Sequence, residues 1–431
     1  MRKPIISRIN SLPIIASAFI VYCFLMIAVI AFVEVDPETR YELIVTGEAT
    51  NSLLQLIAVA IVFGAFLIAT AKRVFGPALR REFLIYLSIG VLAVTAGLGG
   101  IGNDGFFMQN VQLVMTLGFF MMARVFWLLP SENVARCLRL ISWALYGLLV
   151  GIVLVRGLPD SRWYGMLQPN HFGRYAFVAL GLHTLSRKRI SPPFAALAVA
   201  FCLLVSARTV LGGVVAFTAM CLFFPSMVRG IVFAVAGAMV GFVLLGSAVV
   251  FDFINADVLL DVFELTSDER GFGSGFTGRA DVWASFLSQI DGFIFYGLGF
   301  RSQRYIDVVV HSGILSYFLD FGLIPGLIIL LVVIARSLWL LYNGRAYGDS
   351  QGWVAGAFCI TTLLIQCLEP DNLNIGFLGS LVFLLVLAYQ VPCRDALPPQ
   401  TFDSAGRRSI VGKSRWLGRC AFGSRFERLR Y

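Results

Sequence analysis

The sequence predicts an all-α fold, a polytopic bundle of transmembrane helices, and three observations carry that prediction. The 431 residues are 58% hydrophobic and only 14% charged, where soluble domains run at about half apolar and a quarter charged. Apolar runs of about twenty residues recur along the chain, the length a helix needs to cross the hydrocarbon of a bilayer. These runs are continuous rather than alternating, which excludes a β-barrel, and the mean hydropathy is +0.83.

By apolar length the chain divides into about twelve spans. They lie near 13–33, 52–71, 83–102, 110–129, 140–158, 173–186, 192–206, 209–228, 230–251, 312–334, 352–367 and 375–391. Arg2, Lys3 and Arg8 precede the first run as in a signal peptide, but no small-residue cleavage site follows, so it reads as a retained span. Lys and Arg gather in alternate loops: Lys72/Arg73/Arg80/Arg81, Arg136/Arg139, Arg187/Lys188/Arg189, Arg229, Arg336/Arg345 and the tail. The loops between them are acidic or mixed, so the positive-inside rule places both termini in the cytoplasm. Residues 1–391 then form a transmembrane domain, 252–311 a long outer loop between the ninth and tenth spans, and 392–431 a basic cytoplasmic tail. That tail follows a span, so its arginines read as an orientation signal at anionic lipid rather than as a nucleic-acid site.

The eight cysteines show neither a disulfide framework nor zinc-type spacing and read as small buried apolar residues. Neither an internal repeat nor a pair of interrupted helices in matching halves is visible, which weighs against a secondary transporter. Arg124 lies near the inner end of its span, where snorkelling to the surface accounts for it.

The longest polar interval runs from Phe251 to Gly326. It is acidic in balance yet keeps Arg279, in Thr277-Gly278-Arg279, and Arg301, just after Gly297-Leu298-Gly299. Guanidinium groups grip phosphate in pairs of hydrogen bonds and keep their charge. Glycine lets a backbone approach a ligand and aim N–H groups at an anion. A solvated, glycine-linked loop with surface ion pairs is the plainer reading of the same residues. Arg208 stands between two apolar runs with almost no loop around it, at an outer helix end or in a site. The third outer loop holds Arg162, Trp163, Tyr164, Gln168, Asn170, His171 and Arg174, a set of aromatics, amides and arginines suited to a sugar phosphate. His311 opens a span that also holds Asp320, Gly322 and Pro325. Histidine, with an ordinary pKa of about 6.5, takes a proton near neutrality. Asp320 is a second candidate base and should lie inside the bundle. Gly322 and Pro325 should weaken or kink their helix.

At these residues the chain resembles the O-antigen ligase/polymerase superfamily of bacterial inner-membrane proteins, over roughly 160–385. The pieces are Gln168-Pro169-Asn170-His171-Phe172, Ser206-Ala207-Arg208, Thr277-Gly278-Arg279-Ala280-Asp281-Val282-Trp283, Gly297-Leu298-Gly299-Phe300-Arg301 and His311-Ser312 with Gly322. His311, Ser312 and Gly322 follow a ligase-like pattern whose last glycine is replaced here by Pro325. Arg162 and Gly173 match an arginine–glycine spacing of the polymerases, whereas Arg301 to Gly313 is one residue too long for it. The resemblance implies a GT-C-like glycosyltransferase that uses neither metal nor other cofactor and draws glycan from undecaprenyl pyrophosphate. In that reading His311 is the catalytic base, Arg208, Arg279 and Arg301 hold pyrophosphate, and Arg162, Asn170, Arg174 and Asp320 line the glycan or acceptor path. The implied partners are the lipid-linked glycan, an acceptor glycan or lipid A–core, membrane lipid and a chain-length regulator, with no nucleic acid. A polysaccharide polymerase for O-antigen or exopolysaccharide is the leading reading, an O-antigen ligase the second, and a transporter or flippase the third.

Arg279→Ala and Arg301→Ala are each expected to abolish long glycan while the protein stays in the membrane fraction, read by glycan gel and immunoblot. His311→Ala is expected to lose turnover while the lipid-linked donor still binds.

Overall fold

The computed structural model describes residues 21, 88–101, 106–127, 129–156, 169–205, 207–222, 292, 294–299, 312–369, 378–391, 401–402 and 408–409. His311, Arg279, Arg301, Arg162, most of the 252–311 loop and the spans near 13–33, 52–71 and 230–251 lie outside these residues, apart from Val21.

The described chain is helical. A helical stretch at 88–96 runs into a 3-10 turn at Gly97–Gly100. Five helices follow: α1 (Phe106–Phe126), α2 (Ser131–Arg156), α3 (Pro169–Arg187), α4 (Pro192–Leu204) and α5 (Arg208–Leu222). Four more come after the long polar interval: α6 (Gly313–Phe321), α7 (Leu323–Ala346), α8 (Ser350–Gln366) and α9 (Leu378–Leu387). Among the described residues the one extended pairing is an antiparallel ladder of Thr401–Phe402 (β1) with Arg408–Ser409 (β2).

Local signals explain several of the boundaries. Pro192 and Pro193 open α4, where a missing N–H costs nothing. Ser312 caps α6, its Oγ accepting from Leu315 N at 3.3 Å. Asp349 caps α8, accepting from Gln351 N at 3.1 Å.

Two helices, Ser131–Val155 and Leu323–Ala346, are long and apolar enough to cross a membrane. In each, 39% of the apolar window is buried inside the bundle, so much of the apolar face looks outward. On α7 that face carries Ile324, Leu327, Ile328, Leu331 and Leu338. On α2 it carries Leu140, Trp143, Val150 and Leu154.

The centre of the bundle is α3, buried without a break from Phe172 to Ser186. Phe177 stacks on Phe358 of α8 with ring centroids 4.9 Å apart, and Phe217 of α5 meets both rings edge-on. Gly181 makes the close approach possible, since a Cβ there would stand 2.4 Å from the Phe358 ring. Yet α3 is not an oily helix. It holds Arg174, His183, Thr184 and Ser186, all buried. Its polar groups are enclosed at the centre of the bundle among apolar side chains.

The sequence places one span at 312–334; the structure divides it at Gly322. Gly322 has φ 86° and ψ 163°, a backbone region that essentially only glycine occupies. Pro325 falls in the first turn of α7, where it breaks no helical hydrogen bond. A Cβ on Gly326 would stand 2.6 Å from the Tyr317 carbonyl oxygen. In a straight helix nine residues would separate the two by about 13 Å, so α6 folds back on α7 rather than continuing it.

The Gly297-Leu298-Gly299 segment is docked at this corner. Leu298 N donates to Leu319 O at 2.8 Å and Gly299 N to Asp320 O at 3.1 Å, closing carbonyls at the end of α6. Gly297 N donates to Ala96 O at 2.9 Å, and Ile324 N, in the first turn of α7, donates to Ile294 O at 3.0 Å. The expectation that these glycines aim their N–H groups at an anion is therefore corrected. They bring the backbone against the α6 end, where a Cβ on Gly297 would stand 2.3 Å from Asp320.

Arg124 does not snorkel. It is 2% exposed and donates through Nη1 to Ala388 O at 2.8 Å, just past α9. Trp127 Nε1 donates to Leu385 O at 2.7 Å, and Arg336 donates to Leu387 O at 3.1 Å and to Tyr389 O. These donors close the carbonyls that a helix C-terminus leaves open. Of the described cysteines, Cys137, Cys202, Cys221 and Cys359 are free and buried as predicted, whereas Cys367, free as well, is only half-buried.

Gly322→Ala is expected to destabilise the protein by about 1–3 kcal/mol, read as a lower midpoint of thermal unfolding in lipid nanodiscs.

Candidate functional site

Four helix ends meet at the end of the bundle opposite the Arg124 caps: the N-termini of α3, α5 and α6 and the C-terminus of α8. Three contacts establish this. Gly173, in the first turns of α3, lies against the α4–α5 turn, where its Cβ would stand 2.8 Å from Ala207 Cβ. Arg174 Nη2 pairs with Glu369 Oε2 at 3.2 Å, tying α3 to the residues after α8. Gly313 N, at the start of α6, donates to Glu369 O at 2.9 Å. Glu369 thus holds α3 through its carboxylate and α6 through its backbone.

The Arg174–Glu369 pair is deep, its side chains 4% and 5% exposed. Taking two such charges out of water is expensive, and the pair persists only because each neutralises the other. A helix N-terminus carries about half a positive charge, so α3, α5 and α6 bring three positive ends to this region. Glu369 answers the charge of Arg174 there.

Gln366, one turn before Glu369, is fully buried. Its Nε2 and Oε1 have no hydrogen-bond partner among the described residues. Asp320 is 2% exposed, inside the bundle. Arg208 is the first residue of α5 and part-buried, next in sequence to the Ala207 that Gly173 touches. His171 is part-buried in the first turn of α3, three residues ahead of Arg174. Asn170 belongs to the same turn.

Of the residues singled out from the sequence, Arg174, Arg208 and Ser312 are thus brought to one end of the bundle, and Arg174 is bound to Glu369 rather than exposed on a path. Glu369 and Gln366 were not among the sequence candidates. The signal for Glu369 was present: an acid beside Pro370 at the close of an apolar helix. Gln366 gives no signal in one sequence, because an amide in a helix is ordinary until its surroundings are known. Among the described residues no group of His, Cys, Asp and Glu is arranged to hold a metal ion.

Compared with protein-family models and with curated proteins, the chain matches neither a family nor a curated protein.

Glu369→Ala is expected to cost about 3–5 kcal/mol by leaving Arg174 charged and buried. The double variant Arg174→Met/Glu369→Leu should recover most of that loss, since a well-packed apolar pair is often no worse than the ion pair. Thermal unfolding of the two purified variants checks the order.

Proposed function

We propose that the chain is a multi-pass protein of the bacterial inner membrane, with about twelve spans in a GT-C-like arrangement. In this reading it is a polysaccharide polymerase that transfers glycan from undecaprenyl pyrophosphate to a sugar hydroxyl at the periplasmic face. The observation that supports this most is the meeting of three helix N-termini and a buried ion pair at one end of the bundle.

The chemistry asks for what this end contains. The step breaks the bond from the anomeric carbon to pyrophosphate and forms one to the acceptor oxygen. Pyrophosphate leaves with its charge, so fixed cations and helix dipoles, rather than a proton donor, stabilise the departure. Arg208, opening α5, is assigned to that role together with Arg279 and Arg301. The acceptor hydroxyl loses a proton, and one general base suffices. His311, the residue before the Ser312 cap, is assigned as that base. Arg162, Asn170 and Asp320 are assigned to the glycan path. Arg174 is a positioning residue in this scheme, since its charge is already answered by Glu369.

Deleting the gene distinguishes the acceptors. Lipid A–core carrying one repeat unit is expected for an O-antigen polymerase. For an exopolysaccharide polymerase, lipid A–core should be unchanged and the secreted polymer lost. Bare core would assign the chain as a ligase instead, and unchanged glycans of every kind would end the enzyme reading. Gel separation of lipopolysaccharide and assay of secreted polymer give the result.

A further inference from the structure

The amide of Gln366 is the feature the scheme above does not use. It sits on α8 in one row with Phe358 and Thr362, at steps of four residues, and one turn before Glu369. Residues so spaced share a helix face. The helix touches α3 through Phe358, which packs on Phe177 and fills the space over Gly181, and just past its end Glu369 pairs with Arg174. Gln366 is the last residue of α8, three residues before Glu369. Thr362 satisfies itself by donating to Phe358 O at 2.8 Å. Gln366 does not, and both its amide atoms stand unpaired at zero exposure among the described residues.

An amide left so is costly, because a buried donor and acceptor each forfeit the hydrogen bonds they had in water. Leucine in its place would avoid the cost. Arg174 and Glu369 already answer each other's charge, so a partner for the amide need carry none. A hydroxyl is neutral and both donates and accepts, which matches an amide that offers an NH2 and a carbonyl.

We propose that Gln366 is the floor of a pocket, beside the Arg174–Glu369 pair, that takes one neutral hydroxyl group, from an acceptor sugar or from a buried water. The sugar arm rests on the glycosyltransferase reading; the water arm stands without it. A hydroxyl there accepts from Gln366 Nε2 and donates to Gln366 Oε1 or to the Glu369 carboxylate. In the sugar arm the contact fixes a hydroxyl other than the attacking one, and so selects the acceptor.

Gln366→Leu, of similar size and without polar atoms, is the test, read two ways in nanodiscs. One is the midpoint of thermal unfolding with no glycan added. The other is glycan transfer, with KM for the acceptor and kcat measured separately. A sugar hydroxyl predicts an acceptor KM raised about tenfold, with kcat changed less than twofold, the loss of one hydrogen bond made equally in ground and transition states. A buried water predicts a lower unfolding midpoint with KM unchanged. A higher midpoint with KM unchanged means an empty site and overturns the proposal. Should wild type transfer no glycan, the enzyme reading fails, and the midpoint alone still decides the water arm. Should the leucine variant not fold, a cryo-EM map of wild type that resolves ordered waters decides: density within hydrogen-bond reach of Gln366 supports the site, and an empty gap overturns it.

Discussion

The Arg174–Glu369 pair is the constraint on which the rest of one end of the bundle depends. Neither charge could be buried alone. Together they allow α3, the central helix, to carry an arginine in its second turn and still be enclosed on all sides. The same glutamate fixes the start of α6 through its backbone carbonyl. A side-chain bond in one direction and a main-chain bond in another make Glu369 the junction of three segments. Such a junction is rigid where a purely apolar contact could slide, and rigidity is what a site that must hold groups in register requires.

The polarity of the bundle follows from the same arrangement. Arg174, Glu369, Gln366, Asp320 and His183 are enclosed within an apolar core, while leucine, isoleucine and valine side chains stand exposed along α2 and α7. Exposed apolar stripes of that kind suit hydrocarbon, where polar groups find partners only inside the protein. The opposite end obeys the same rule. Arg124 and Arg336 turn inward to the terminal carbonyls of α9 instead of reaching for the surface. The C-terminus of a helix leaves its last carbonyls open, and two guanidinium groups close several of those of α9 at once.

How much of this could be read from the sequence depends on whether the signal was local. Helix existence was legible, because apolar runs of sufficient length are local; α3, α4 and α8 begin and end within a few residues of the apolar runs, and α5 begins beside its own. The break at Gly322 was legible in kind, since glycine and proline act on their own backbone, but its angle was not. That angle is set by Gly326 lying against Tyr317 and by residues 294–299 hydrogen-bonding to both sides of the corner. The Gly297-Leu298-Gly299 motif was misread for the same reason. Glycine announces a close approach without saying to what, and here the partner is the end of α6. Arg124 was misread because its acceptor lies 264 residues later in the chain. The candidate site was legible only as a set of loop ends, and the residue that joins them, Glu369, emerges from the fold.

Three of the described arginines are committed to partners inside the protein. Arg124 and Arg336 donate to backbone carbonyls, and Arg174 to a carboxylate. Binding pyrophosphate through any of these would first break a buried hydrogen bond, at a cost comparable to what the phosphate returns. Arg208 opens α5, where the helix N-terminus adds a partial positive charge of its own. In the proposed scheme the phosphate is therefore given to Arg208 rather than to Arg174, although both stand next in sequence to the contact between Gly173 and Ala207. Arg174 ties α3 to Glu369, and Gly173 packs α3 against the α4–α5 turn, so the start of α5 is placed by that chain of contacts.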